Sequence, residues 1–122
     1  MLLIIEDNLD LVNLYKMAFS LIKITPEAEV TGPAALRRIE CQATLPPKVV
    51  ILDLHLRGEN GIEVNGSELF EKMRKIWPNT KIIVASADIT ACQKFGAIAD
   101  MVIEKPIANM GGFLDKVQSM MT

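Results

Sequence analysis

Four short aliphatic runs punctuate the chain, and each ends abruptly on polar groups. Leu2-Leu3-Ile4-Ile5 runs into Glu6-Asp7, and Val49-Val50-Ile51-Leu52 into Asp53. Lys81-Ile82-Ile83-Val84-Ala85 runs into Ser86, and Met101-Val102-Ile103 into Glu104-Lys105-Pro106. Unbroken apolar runs of this length, without alternation, predict strands covered on both faces. Between them the period lengthens to that of a helix. Leu11, Leu14, Tyr15, Ala18 and Ile22, widened by Val12 and Phe19, form an apolar stripe. Asn8 is placed to cap that helix, and Asp10 lies at the positive end of its dipole.

Later segments repeat the alternation. Glu29-Val30-Thr31 reads as a weak edge strand after Pro26. Gly32-Pro33 opens a second helix through Ala34, Ala35, Leu36 and Ile39, which ends before Pro46-Pro47. A polar loop from Leu56 to Gly66 follows Asp53, carrying Gly58, Asn60, Gly61 and Asn65. Ser67 is the expected cap of a third helix, Glu68 to Trp77, with Leu69, Phe70, Met73 and Ile76 facing inward and Pro78-Asn79 ending it. Ile89 to Ala99 allows only a short helix, weakened by Gly96. Gly111-Gly112 precedes a terminal amphipathic helix carrying Phe113, Leu114, Val117 and Met120-Met121. The order is β-α repeated five times, which predicts an α/β fold: a parallel sheet with helices on both faces.

Composition narrows the picture. The 122 residues predict one domain, residues 1–122, with 50% hydrophobic and 23% charged side chains, a globular balance. A net charge of −2 gives no electrostatic case for nucleic acid or an anionic membrane. No apolar run approaches the roughly 20 residues that span a bilayer, and the N-terminus lacks the basic segment of a signal peptide. Cys41 and Cys92 lack Cys-x-x-Cys spacing and read as reduced, buried thiols of a cytosolic protein. The seven scattered methionines read as core filler.

If the strands run parallel, their polar ends meet at one rim, where open α/β sheets bind ligands. Glu6, Asp7 and Asp53 would repel one another there, and either a shared proton or a hard divalent cation relieves that repulsion. Mg²⁺ takes one or two carboxylates, waters and often a phosphate oxygen. Asp53 is then suited to attack phosphorus, with Lys105 and Ser86 pairing with phosphoryl oxygens. A lone aspartate after a strand carries little information; an acidic pair, Asp, Ser and Lys-Pro, each after its own strand, is far more specific.

On these stretches, Ile4-Ile5-Glu6-Asp7-Asn8, Val49-Val50-Ile51-Leu52-Asp53-Leu54, Ile82-Ile83-Val84-Ala85-Ser86-Ala87 and Lys105-Pro106, the chain resembles the receiver domains of two-component response regulators over essentially its whole length. The resemblance implies a flavodoxin-like, doubly wound five-stranded sheet of order 2-1-3-4-5. It implies that Asp53 accepts a phosphoryl group from a histidine kinase or histidine phosphotransfer protein. Glu6, Asp7, Asp53 and the backbone carbonyl of His55 would hold Mg²⁺, Ser86 would be the switch hydroxyl, and Lys105 the phosphate-pairing cation. It further implies a cytoplasmic signalling protein, a phosphoacceptor with at most slow autophosphatase activity rather than an enzyme. An output domain or target protein is expected, a homodimer is compatible, and direct contact with nucleic acid or membrane is not expected. The Lys105–Pro106 bond is commonly cis in such domains.

Several positions depart from the family pattern. Val102 stands where a Tyr or Phe switch is usual, and Arg57 where a proline usually follows. The loop to Gly66 is a few residues longer than usual, and the segment from Ser86 to Lys105 is about one helical turn shorter than typical. These departures motivate an alternative: an interaction module on the same fold that works without phosphorylation. A haloacid-dehalogenase-type phosphatase fits poorly, because His55 stands where that family has a second aspartate.

Overall fold

The computed structural model describes residues 1–41 and 43–122. Five strands, β1 (Leu2–Ile5), β2 (Glu27–Glu29), β3 (Val49–Asp53), β4 (Lys81–Ser86) and β5 (Met101–Glu104), form one sheet of order β2-β1-β3-β4-β5. All neighbouring pairs are parallel. The helices are α1 (Leu9–Ser20), α2 (Gly32–Glu40), α3 (Gly66–Ile76), α4 (Ile89–Phe95) and α5 (Met110–Met120).

The two-residue period of a strand explains why the central runs are apolar throughout. Leu3, Ile5, Val50, Leu52, Ile82 and Val84 point to one face, against Ala35 and Ile39 of α2, Leu69, Phe70 and Met73 of α3, and Phe95 of α4. Leu2, Ile4, Val49, Ile51, Ile83 and Ala85 point to the other, against Val12, Tyr15, Ala18 and Phe19 of α1 and Phe113, Leu114 and Val117 of α5. Each of β1, β3 and β4 therefore contributes to two cores, and its ends are fixed in height by both.

Four local expectations are corrected. The edge strand is Glu27–Glu29, not Glu29–Thr31. Its position is set by pairing with Leu3, Ile4 and Ile5, while Arg38 of α2 holds both of its acids, at 3.1 Å to Glu27 and 3.0 Å to Glu29. Thr31 is extended because its side chain caps α2 by accepting from the Ala34 N–H. Asn65, not Ser67, caps α3, so the helix begins at Gly66. A Cβ there would lie 2.5 Å from Leu54 Cα and 2.6 Å from Asp53 O, and only glycine lets α3 start this close to the end of β3. Leu14 is 49% exposed and Ile76 also faces solvent, with Trp77 buried in its place. The cysteines are free as expected, but Cys41 is exposed and Cys92 only partly buried.

The long loop after β3 has structure of its own. Glu59 and Ile62 exchange backbone hydrogen bonds of 2.9 and 2.8 Å around Asn60 and Gly61, whose φ angles are +51° and +78°. This is the Asn-Gly chemistry of a tight hairpin turn. The loop is strapped to α2: Glu59 accepts from the Thr31 hydroxyl and from Arg37, and Arg57 O accepts from Gly32 N at 3.0 Å. The sheet therefore presents its carboxyl ends on one side, and this loop borders them.

Candidate functional site

Parallel pairing sets the site. Ile5 is in register with Leu52, and Asp53 with Ala85, so Glu6 leaves β1 beside Asp53 and Ser86 leaves β4 one step further along. β1 and β3 are also where the connections diverge, the crevice at which open α/β sheets hold ligands. One ligand oxygen from each of Glu6, Asp7 and Asp53 lies within 4.8 Å of the others. Glu6 and Asp53 are 2% and 5% exposed.

Lys105 follows β5 and reaches across the rim. Its Nζ lies 2.7 Å from Glu6 Oε1 and 3.4 Å from Asp53 Oδ1, and the Lys105–Pro106 bond is cis. Backbone groups supply further donors to the carboxylates: Asn8 N to Glu6 Oε2 at 3.2 Å and His55 N to Asp53 Oδ1 at 3.3 Å. Ser86 is buried, and its hydroxyl accepts from Asp88 N at 3.1 Å. Its own proton thus stays free to donate.

The electrostatics are those of a crowded acidic cluster. Burial pushes the Glu6 carboxyl above its ordinary pKa; the Lys105 hydrogen bond opposes this, and neighbouring Asp53 reinforces it. Burial pulls Lys105 down, but its bond to Glu6 and the charges of Asp53 and Glu6 outweigh that and leave it raised. The site thus favours positive charge and binds a proton at Glu6 more readily than an ordinary carboxylate does.

The donor set suits a hard divalent cation: three carboxylates and no soft ligand. Glu6, Asp7, Asp53, Ser86 and Lys105 are brought to one rim from four strands, as the sequence suggests. His55 borders it through its backbone, with its imidazole exposed and 3.9 Å from Asp88 Oδ2. Two neighbours were not foreseen. Asp88 caps α4 by accepting from Thr90 N and Ala91 N while its own N–H binds Ser86; an acid just before a helical stretch is the signal that could have found it. Tyr15 has a buried hydroxyl with no partner among the described residues, and burial, then the charges of Glu6 and Asp53, push its phenol well above the ordinary value.

The family model described as "Response regulator receiver domain" matches residues 2–117. The chain belongs to the response regulator receiver domain family. Receiver domains are phosphoacceptor signalling modules and generally not enzymes, and the acidic pocket here is of the kind in which they bind Mg²⁺. Solved structures agree in fold. The receiver domain of NtrX from Brucella abortus is 21% identical with a TM-score of 0.80, over 99% of this chain and 98% of that one. The signal receiver domain of a LuxO repressor protein from Vibrio parahaemolyticus is 24% identical with a TM-score of 0.79, over 98% and 88%. The response regulator protein TrrA from Thermotoga maritima, solved in complex with Mg²⁺ and BeF, is 22% identical with a TM-score of 0.79, over 98% and 96%. Among curated protein sequences there is no match. No helix of the described residues is long and apolar enough to cross a membrane.

Proposed function

We propose that this receiver domain accepts a phosphoryl group on Asp53, from a histidine kinase or histidine phosphotransfer protein, in a Mg²⁺-dependent reaction. The observation that carries this reading is the convergence of the Glu6, Asp7 and Asp53 oxygens within 4.8 Å, with Lys105 Nζ 3.4 Å from Asp53. Bound through Glu6, Asp7, Asp53 and the His55 carbonyl, the cation would neutralise charge so that a phosphoryl donor can approach.

The protein's own groups do the rest. The Asp53 carboxylate oxygen attacks phosphorus as the bond from phosphorus to the donor's imidazole nitrogen breaks, and the imidazole leaves with that electron pair. The His55 N–H and Lys105 hold that carboxylate in place, and Lys105 is drawn toward the phosphoryl oxygens as they arrive. Ser86, its lone pair occupied by Asp88 N, turns its hydroxyl proton toward a second phosphoryl oxygen. Pulling Ser86 and Lys105 inward shifts the segments after β4 and β5, the lever for a change of surface.

Intact mass after treatment with acetyl phosphate tests this. A phosphoryl adduct should form with Mg²⁺ and disappear without it or in Asp53→Asn. A second reading, an interaction module independent of phosphate, is favoured by Val102, which packs partly buried against the core face shared with α4. It predicts an unmodified wild type under the same conditions.

A further inference from the structure

The chain carries four arginines, and three are occupied. Arg37 pairs with Glu59 at 3.1 Å, Arg38 with Glu27 and Glu29, and Arg74 with Asp100 at 3.1 Å. Arg57, where the family pattern has proline, makes no ion pair among the described residues. It nevertheless lines a groove of about 380 Å³ with Asp7, Asn8, Leu9 and Asp10. Asp7 belongs both to this groove and to the carboxylate cluster, so the groove adjoins the cluster that holds the acceptor.

The groove lies on the β1–α1 flank of Asp53, whereas Lys105 approaches from the strand at the opposite edge of the sheet. Arg57 is held there by its backbone, through the bond from Gly32 N and the strap from Glu59 to Thr31 and Arg37. An exposed guanidinium on a fixed backbone is a fork that matches a carboxylate in two-point geometry.

We propose that Arg57 receives the departing carboxylate of an acyl phosphate donor and thereby tunes the domain toward that donor class. The inference rests on Asp53 being the phosphoacceptor. In-line displacement sends the leaving group away from Asp53, toward the mouth of the site. A bond forms between an Asp53 carboxylate oxygen and phosphorus, and the bond between phosphorus and the acyl oxygen breaks. The acylate leaves with the bonding electron pair, with no proton required. Negative charge grows on the acyl oxygen during the step, and Arg57 is the cation placed to meet it. A donor with a phosphorus–nitrogen bond is different, since its nitrogen leaves as a neutral amine after taking a proton from solvent. Arg57 has nothing to grip there.

The test compares acetyl phosphate with phosphoramidate, both with Mg²⁺, following the rate of adduct formation by mass in wild type, Arg57→Ala and Arg57→Lys. Arg57→Ala should slow the acetyl phosphate reaction about 10-fold, a loss of roughly 1.4 kcal/mol. It should leave the phosphoramidate reaction within about 2-fold, and Arg57→Lys, which keeps the charge but loses the fork, should fall between. Equal slowing with both donors, or no change with either, overturns the assignment. Failure of the wild type to react with either donor would instead overturn the phosphoacceptor reading on which it rests.

Discussion

The two flanks of the sheet are built to different standards. On the β1–β3 flank, strands are wholly buried, α3 starts against the backbone of Leu54, and the following loop is strapped to α2 by Glu59 and Arg57. On the β4–β5 flank, α4 has seven residues and Met101, Val102 and Ile103 are only partly buried. The three carboxylates of the cluster sit at strand ends on the well-built flank, while Ser86 and Lys105 reach them from the other. The proposed change of surface would run through that second flank, where fewer buried side chains oppose a shift. Val102 in place of an aromatic means that whatever is relayed there does not depend on a rotating ring.

Core truncation should separate the flanks most. Leu52→Ala on β3 empties a site that is wholly buried and is expected to cost about 2–5 kcal/mol, read by urea unfolding, whereas Val102→Ala on β5 should cost about 1 kcal/mol or less because part of that side chain stays in water. Equal losses would erase the contrast. Next in size is the strap. Thr31→Ala removes the α2 cap and the bond to Glu59 together and should cost about 1–2 kcal/mol in the same assay.

A pH prediction follows from Glu6 and Lys105. Both are raised in the folded protein, so each contributes stability that is present below its unfolded pKa and is lost as pH rises through the folded value. For Glu6 this window begins at the ordinary carboxylate range and extends above it, where the charged form must be held in a buried site. A cation and a proton compete for Glu6, and the raised pKa strengthens the proton's side of that competition. Mg²⁺ affinity, measured by calorimetry, should therefore fall as pH drops toward the carboxylate range, with proton release on binding. Pairs of buffers with different ionisation heats detect that release. The smallest effect is expected at Tyr15→Phe. Deleting a buried hydroxyl without a partner should leave thermal stability unchanged or slightly higher, and a clear loss would reveal a bond that the hydroxyl makes.

Much of this arrangement was legible beforehand, for identifiable reasons. Val49–Asp53 and its counterparts could be read because strands covered on both faces need unbroken apolar runs, and because a polar residue ending such a run has few places to go. The meeting of Glu6, Asp7, Asp53 and Lys105 at one rim follows from the parallel strands. What could not be read depends on tertiary partners. Glu-Ala-Glu has little preference for a strand and becomes one only through pairing with β1 and the grip of Arg38. Asn65 prevails over Ser67 as a cap because Gly66 fits against Leu54, a contact between segments. Leu14 and Ile76 fall on helical spacing yet face outward, since periodicity fixes a stripe but not its width. Residue type alone favours buried thiols, and exposed Cys41 at the end of α2 does not follow it.

The central claim is that three carboxylates from two strands share one cation beside Asp53. Mn²⁺, which accepts the same oxygen ligands as Mg²⁺, tests it directly through paramagnetic broadening of backbone amide signals in an isotope-labelled sample. The account predicts that the first signals lost at low Mn²⁺ are those of Glu6, Asp7, Asp53 and His55, and that excess Mg²⁺ restores them. Broadening centred elsewhere, or spread evenly over exposed acids such as Glu63 and Glu71, would contradict it.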